Sequence, residues 1–572
     1  MRMSAETCFC RHVDPVWILF AITRIIVVVV IPQPGYIHPD EFFQNTEIVA
    51  GDLFGLKIHR TWEFTSPSPI RSMSIIWMTT LIPLSILKWI WSCVAPAGTL
   101  PSPGLFLMVP RIFACAVSFI CDYAVYHLAA PPAKRKRRIK ALVFFSSSYI
   151  TIVFYTRTFS NSIESCLLAL LLLCVKNVMH NDQLKLKDAR VKVSRKYYLI
   201  AFLLCIGTFN RPTFICFALP AIIFWLCSGV DRNVKTKKHR TRAQIAQRLA
   251  KRVAKLGMCF LLWAQYPIIL DTFYFHPETF SRDGPLRLIV TPLNFILYNL
   301  DTANLELHGR HPNFLHLLVN VPLLFNVLAI PALWASCKVL YDRLSGASRV
   351  ECPETLTVSK TFDTVAACTL LLPLCALSLF KHQEPRFLVP LLIPVVLMAQ
   401  RHSSTKLMET WWGLLNGVGI IFFGYMHQGG LIPCMLDVHS HLAQYKLDNM
   451  NATVMFAHTY MPPRHLLTVK EDSVAVDIVD MMGTNLKGHD LLRYFIEKRA
   501  HLNYLIAPRS FVDSEMESWK DNLFILSSTN LHFNSEHLPQ FSYADYLHGR
   551  VALSDFRKAS TLNVYLLQLP KR

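Results

Sequence analysis

A chain of 572 residues that is 52% hydrophobic and only 17% charged, with a mean hydropathy of +0.33, is not a soluble globular protein, in which about a quarter of residues carry charge. Its formal net charge of +20 points at first to nucleic acid, but the distribution excludes that partner. Segments 131–140, 180–196 and 231–255 hold 22 Lys/Arg against 3 Asp/Glu; nearly the whole surplus lies in three short connectors, the positive-inside pattern of a membrane protein.

Apolar runs recur from Val16 to Tyr425. They predict an all-α polytopic membrane protein of roughly 11–13 transmembrane helices. The run 16–31 has no small-residue cleavage site after it and reads as a retained signal anchor. Two runs follow, 73–94 and 105–129. If both cross, either basic segment 131–140 or the polar segment after residue 31 changes side, so one of them is open to a re-entrant or interfacial reading. With the three basic segments in the cytosol, 141–156 rises and 163–179 returns. The run 197–230 holds two short spans broken at Asn210-Arg211-Pro212. Residues 256–274 rise, 314–338 descend, 361–380 rise, 387–400 descend and 411–426 rise again. This divides the chain into a multi-span domain, 1–427, and a far-side C-terminal domain, 428–572. In the latter, strand-length runs Thr453–Phe456, Tyr504–Ala507, Leu523–Leu526 and Leu562–Leu567 flank a helical pattern at 489–500. The pattern predicts a small α/β or α+β domain. Asn451-Ala452-Thr453 is the chain's one N-glycosylation sequon, which makes the far side the lumen of the secretory pathway.

The 16 cysteines lie mostly in apolar runs, where Cys behaves as a small hydrophobe. None has zinc spacing, and no metal site or cofactor is expected. The chemistry sits in the polar segments. His38-Pro39-Asp40-Glu41 follows the first apolar run, and charge at a bilayer edge is costly unless it has a role or meets water. The alternative is two acids at the N-terminus of an interfacial helix that begins after Pro39. The loop 33–72 goes on through Trp62-Glu63-Phe64 to Arg71. Further far-side loops carry Arg157, Glu164, Arg211, Asn299, Asn304, His308 and His311, then Lys381, His382, Glu384 and Arg386. Each could be a solvated or snorkelling charge; collected at one face they offer carboxylates, guanidinium groups and imidazoles to a ligand with a phosphate and a sugar.

His38-Pro39-Asp40-Glu41, Arg157-Thr158-Phe159-Ser160-Asn161-Ser162 and His382-Gln383-Glu384-Pro385-Arg386-Phe387 resemble motifs of the dolichol-phosphate-mannose-dependent mannosyltransferases of the endoplasmic reticulum, enzymes of GT-C fold. The resemblance covers residues 15–430. Pro39–Gln44, Trp62–Phe64, His308–Pro312, Gln428-Gly429-Gly430 and Thr459–Arg464 look most like the glycosylphosphatidylinositol (GPI) branch, at the step that adds a fourth mannose. The resemblance implies a dolichyl-phosphate-mannose donor, a GPI-precursor glycolipid acceptor and inverting transfer in the lumen of the endoplasmic reticulum, to give an α-1,2 linkage. Inversion needs one base, and phosphate leaves without a general acid. Asp40 is the expected base and Glu41 its rival, since neighbouring helical residues point about 100° apart. His382 and Arg386 are expected on the donor phosphate, with His38, Arg71, Arg157, Arg211, His311 and Glu384 as further substrate contacts. The alternatives are the third-mannose step, the N-glycan precursor, or a lipid transporter. Against the transporter stand the absence of repeats and the placing of charge at one face, with Asp122 inside an apolar run as the exception.

Overall fold

The computed structural model describes residues 14–65, 67–183, 189–228, 241–301, 304, 309–345, 354–401, 405–445, 450–473, 475–482, 484, 488–534, 557 and 560–569. Among them, six helices are long and apolar enough to cross a membrane: Met73–Val94, Pro103–Ala129, Ser160–Met179, Arg242–Phe275, His316–Leu344 and Thr361–Ser378. Shorter apolar helices are Pro15–Val29, Phe214–Cys227 and Pro385–Ala399. The remaining expected runs fall in helices Arg135–Ser146, Ala189–Asn210 and Lys406–Ile421. Both 73–94 and 105–129 lie in helices of spanning length, 22 and 27 residues. The protein is a multi-pass membrane protein with a small C-terminal sheet, as the sequence predicts.

The chain forms two compact units, each built from separated stretches. The first comprises Met1–Arg24, Trp62–Met78 and Ala114–Asn416. Its helices pack in pairs: Arg242–Phe275 on Ala189–Asn210, and Phe214–Cys227 on Glu354–Ser378. The expected break at Asn210-Arg211-Pro212 is real: one helix stops at Asn210 and the next starts at Phe214. The two approach so closely that a Cβ on Gly207 would lie 2.1 Å from the Phe214 ring. Asp122 also finds its explanation here. Arg24 lies 2.9 Å from it, both fully buried, and the guanidinium also donates to Ser118 at 2.9 Å and covers the Phe119 ring. Paired charge of this kind is what an apolar span tolerates.

The second unit comprises Ile25–Thr61, Thr79–Phe113 and Gly417–Arg572. It contains a five-stranded mixed sheet in the order β2-β1-β3-β5-β4, with β1 Ala452–Phe456, β2 Val476–Asp480, β3 Leu502–Pro508, β4 Leu523–Thr529 and β5 Leu562–Leu567. β1 pairs in parallel with β2 and β3, and β5 runs antiparallel between β3 and β4. Met455, Leu505, Tyr565 and Leu567 point to one face, where they bury Leu491, Leu492, Phe495, Val512 and Met516. These come from helix Gly488–Lys498, helix Arg509–Glu515 and, for Met516, the residue that ends the latter. Helix Leu431–Leu442 covers the other face, its His441 ring 2.7 Å from the Tyr504 hydroxyl. With both faces covered, β1 and β3 are buried at every position. The four expected strands are all present. β2 was not foreseen, because Asp477 and Asp480 break its apolar run.

The segment before His38 belongs to this unit and is fastened to residues 424–427. The Gly35 amide donates to the Gly424 carbonyl and the Tyr36 amide to that of His427, both at 2.8 Å. Gly35 is needed for this approach: a Cβ there would stand 2.4 Å from the Phe423 carbonyl oxygen. The Gln428-Gly429-Gly430 turn is set by close packing too, since a Cβ on Gly429 would meet the Tyr425 carbonyl oxygen at 1.9 Å.

Candidate active site

In the second unit, the helix begins just after Pro39, as its sequence predicts. Phe42 and Phe43 both donate to the Pro39 carbonyl at 3.0 Å, and His38 Nδ1 lies 3.2 Å from the Asp40 amide. A π turn, Phe42–Thr46, follows and leads into helix Glu47–Phe54. Gly55 ends it in the left-handed conformation, φ 64°. The two adjacent carboxylates have different surroundings. Glu41 is 1% exposed and paired with Arg111, whose Nη2 and Nε lie 2.6 and 2.8 Å from Oε1. The same arginine donates through Nη1 to the Gln33 carbonyl at 2.7 Å. The Asp40 side chain is 19% exposed, with His38 Nδ1 3.1 Å from its Oδ1 and the Gln44 amide nitrogen in close contact with Oδ2. Asp40 is therefore the more accessible acid, and Glu41 is engaged by a buried guanidinium. Burial and the nearby acids Glu41, Glu47 and Asp40 raise the Tyr36 phenol well above its usual range, so it is a hydrogen-bond donor here.

In the first unit, the loop that carries Arg71 is closed on itself. Arg71 donates to Glu63 Oε1 through Nε at 3.0 Å and Nη2 at 2.8 Å, and the Ile70 amide donates to the Glu63 carbonyl at 3.1 Å. Trp62 stacks on Tyr298 at 4.4 Å and Asn294 donates to the Pro69 carbonyl at 3.0 Å. Asp271 then caps the following helix from across the bundle. Its Oδ1 accepts the Met73 amide at 2.9 Å, the Ser72 hydroxyl at 3.1 Å and the Ser74 amide at 3.3 Å, and Oδ2 accepts the Thr291 hydroxyl at 3.1 Å. A carboxylate at a helix N-terminus is well placed to satisfy open amides. It fixes the residues immediately after Arg71.

The Arg157 motif and the Asn210-Arg211-Pro212 turn meet. Arg211 Nη1 donates to the Ser160 hydroxyl at 3.1 Å and Asn210 to the Ser160 carbonyl at 2.9 Å. Glu164 accepts the Thr213 hydroxyl at 2.9 Å, and Arg211 Nε lies 3.9 Å from its Oε2. Arg157 is buried and donates to the Val153 carbonyl at 3.1 Å. His311 and His382 come together, ring centres 5.7 Å apart, with the Gln383 amide 3.2 Å from His311 Nδ1. Glu384 joins the group: His382 Nε2 is 2.7 Å from its Oε1, and Arg386 Nε is in close contact with Oε2. Gln383 braces the loop. It accepts the His316 amide at 2.9 Å and donates to the Ser378 and Phe380 carbonyls at 2.9 and 3.0 Å. Arg211 and Arg386 both lie over the Phe387 ring. His308 lies outside the described residues. Asn451 is exposed at the mouth of β1. Among the described residues, no three His, Cys, Asp or Glu side chains converge as metal ligands.

Sequence reasoning missed Arg111, Asp271 and Glu47. For the first two a signal existed, a lone charge inside an apolar run, which demands a partner. Glu47 gave none.

The Alg9-like mannosyltransferase family matches residues 15–467. The chain is 37% identical to the human protein named "GPI alpha-1,2-mannosyltransferase 4" over 79% of this chain and 76% of that one. It is 30% identical to "GPI mannosyltransferase 4" of Drosophila melanogaster, over 81% and 73% of the two chains. It is 31% identical to the protein of that name in Aspergillus oryzae, over 79% and 78%. The family match takes in the unequal acids of the His38 segment, the Arg157 and Arg211 turns and the His382–Arg386 cluster: this chain belongs to the Alg9-like mannosyltransferases and is a multi-pass membrane enzyme that transfers mannose.

Proposed function

We propose that this enzyme transfers mannose from dolichyl-phosphate-mannose to the third mannose of a GPI precursor, in α-1,2 linkage, at the luminal face of the endoplasmic reticulum. The observation that carries the reading is the 37% identity, over most of both chains, to a protein named for that linkage and anchor. The donor is a β-linked mannosyl phosphate and the product is α-linked, so the reaction is a single displacement at the sugar C1. The acceptor hydroxyl oxygen forms the new bond, the C1–O bond to phosphate breaks, and the base keeps the hydroxyl proton. Asp40 is that base, a role supported by its exposure and by the engagement of Glu41 with Arg111. Glu41 acts through Arg111, fixing the backbone at Gln33 and so the entry to the motif. The leaving phosphate keeps its charge and needs fixed cations. His382 and Arg386 supply the donors, and Glu384 holds them at a set spacing. Arg71, Arg157, Arg211, His311 and His38 are assigned to substrate on motif position.

Cells depleted of the enzyme should accumulate a GPI precursor with three mannoses, and microsomes bearing the chain should convert it to the four-mannose form. Accumulation of a two-mannose precursor would refute the fourth-mannose assignment. Arg386→Ala should raise the apparent KM for the donor, leaving that for the acceptor unchanged.

A further inference from the structure

The motif Thr459-Tyr460-Met461-Pro462-Pro463-Arg464 enters no step above, yet the second unit fastens it to the helix that carries Asp40. Glu47 lies seven residues beyond Asp40 and is fully buried. On an unbroken α-helix seven residues return to within about 20° of the same face. The π turn Phe42–Thr46 adds one residue and swings Glu47 about 100° away from it. There its Oε1 accepts the backbone amides of His59 and Arg464, each at 3.1 Å. Its Oε2 accepts the His465 amide at 3.2 Å and lies 2.5 Å from His465 Nδ1. One carboxylate thus sets the backbones of His59 and Arg464 side by side.

The motif is held at its other end as well. The Tyr36 hydroxyl donates to the Met461 carbonyl at 3.0 Å, and the Tyr36 and His38 rings lie 5.8 and 6.4 Å from that of Tyr460. Met461 in turn touches the turn after β2: its amide is 3.1 Å from Met482 Sδ, and the Met482 amide donates to Asp480 Oδ1 at 2.9 Å. The backbones are fixed, and Asp480 uses Oδ1 alone on the Met482 amide. Among the described residues nothing hydrogen-bonds the Arg464 guanidinium, whose Nε is shielded from solvent. His59, Arg464 and Asp480 are all half-buried and reachable. Burial, and then the Arg464 charge, hold the His59 imidazole below its ordinary range, so it is neutral and can both donate and accept. Burial raises the Asp480 carboxyl, and the Met482 amide, then Arg464 and His59, oppose that rise.

A planar guanidinium, a carboxylate and a neutral imidazole, the last edge-on to the Phe43 ring at 6.1 Å, make a set of donors and acceptors suited to sugar hydroxyls. Asp480 would repel a phosphate but accepts a hydroxyl. We propose that Arg464, His59 and Asp480 form an acceptor-glycan subsite that binds hydroxyls of a mannose in the acceptor, with Glu47 as the positioning residue. The inference rests on the transfer reaction proposed above.

The test uses the full-length chain in microsomes, with transfer to the three-mannose precursor measured as each substrate is varied in turn. Arg464→Gln and Asp480→Asn should each raise the apparent KM for the acceptor about tenfold, the effect of losing a charged hydrogen bond. The donor KM and kcat should stay within about twofold of wild type. Arg464→Lys should not restore the acceptor KM, because an ammonium lacks the planar fork. An unchanged acceptor KM at normal abundance overturns the subsite, as does a rise of both KM values together or a fall in kcat alone. If Arg464→Gln accumulates poorly, the nearly isosteric Asp480→Asn decides. Failure of the wild-type chain to use this acceptor counts against the proposed function instead.

Discussion

Arg111 grips Glu41 through two nitrogens, at 2.6 and 2.8 Å, while the adjacent Asp40 meets His38 and Gln44. The two acids should therefore fail differently. Asp40→Asn should keep the protein at normal abundance and cut transfer by about 10²- to 10⁴-fold, the usual worth of a general base. Glu41→Gln strands a buried guanidinium, at a cost of about 3–5 kcal/mol, so abundance should fall first. Immunoblots of microsomes beside transfer assays check both; near-normal transfer by Asp40→Asn removes it as the base.

Gly35→Ala asks whether the His38 segment depends on its seat against residues 424–427. The added methyl would stand 2.4 Å from a backbone carbonyl oxygen, which cannot rotate away as a side chain can. The expected loss is about 1–3 kcal/mol of stability, visible as a lower aggregation temperature in detergent. An unaltered temperature would mean that the segment can shift without cost.

The buried pair Arg24–Asp122 lends itself to a double-mutant cycle. Arg24→Leu alone and Asp122→Leu alone should each destabilise by about 3–5 kcal/mol, because each leaves an unpaired buried charge. The double variant should recover most of the loss. Additive losses would show that the two residues do not act as a pair.

His532 gives the C-terminal region an acid-sensitive point. Burial, then His427, pushes its imidazole down to about 3 from 6.5, and its Nδ1 accepts the Gly430 amide at 3.3 Å. The folded state resists a proton that the unfolded chain takes up near 6.5. Stability is therefore complete above that pH and falls progressively as pH drops towards 3, by about 2 kcal/mol between pH 6.5 and 5. His532→Gln should flatten this slope. Hydrogen exchange of residues 426–433 in the full-length protein at pH 7 and pH 5 measures it, and equal slopes would exclude His532 as the cause.

Asn451 stands exposed before β1. If the C-terminal region is luminal, Asn451→Gln should remove one glycan and speed migration on a gel, as glycosidase treatment of the wild type should. Identical migration of treated and untreated wild-type protein would count against that sidedness.

Much of the fold was legible because periodicity is local. The apolar runs, the helix start after Pro39, the break at Asn210-Arg211-Pro212 and four of five strands each need only a few neighbouring residues. β2 escaped because its acids mimic a loop, and a short parallel strand is recognised by its partner β1 rather than by its own residues. The site was half legible. Lone charges in apolar runs announce a need for partners, as Arg24, Arg111, Asp122 and Asp271 do. They do not say which: Arg111 finds Glu41 across 70 positions and Asp271 finds Ser72 across 199. The order of Asp40 over Glu41 likewise depends on Arg111, which no local pattern reveals.

The latch between Glu47 and His465 closes a separation of 418 residues. At roughly 5–20 residues per second of synthesis, Glu47 leaves the ribosome about 20–80 s before its partner exists. Through that interval the nascent chain carries the Asp40 helix with one of its acids unmated. A stop codon between residues 388 and 464 would release a polypeptide holding every motif from His38 to Arg386 but no latch. Nonsense alleles late in the reading frame should thus behave as nulls, and cells should treat their products as unfinished proteins rather than as shortened enzymes.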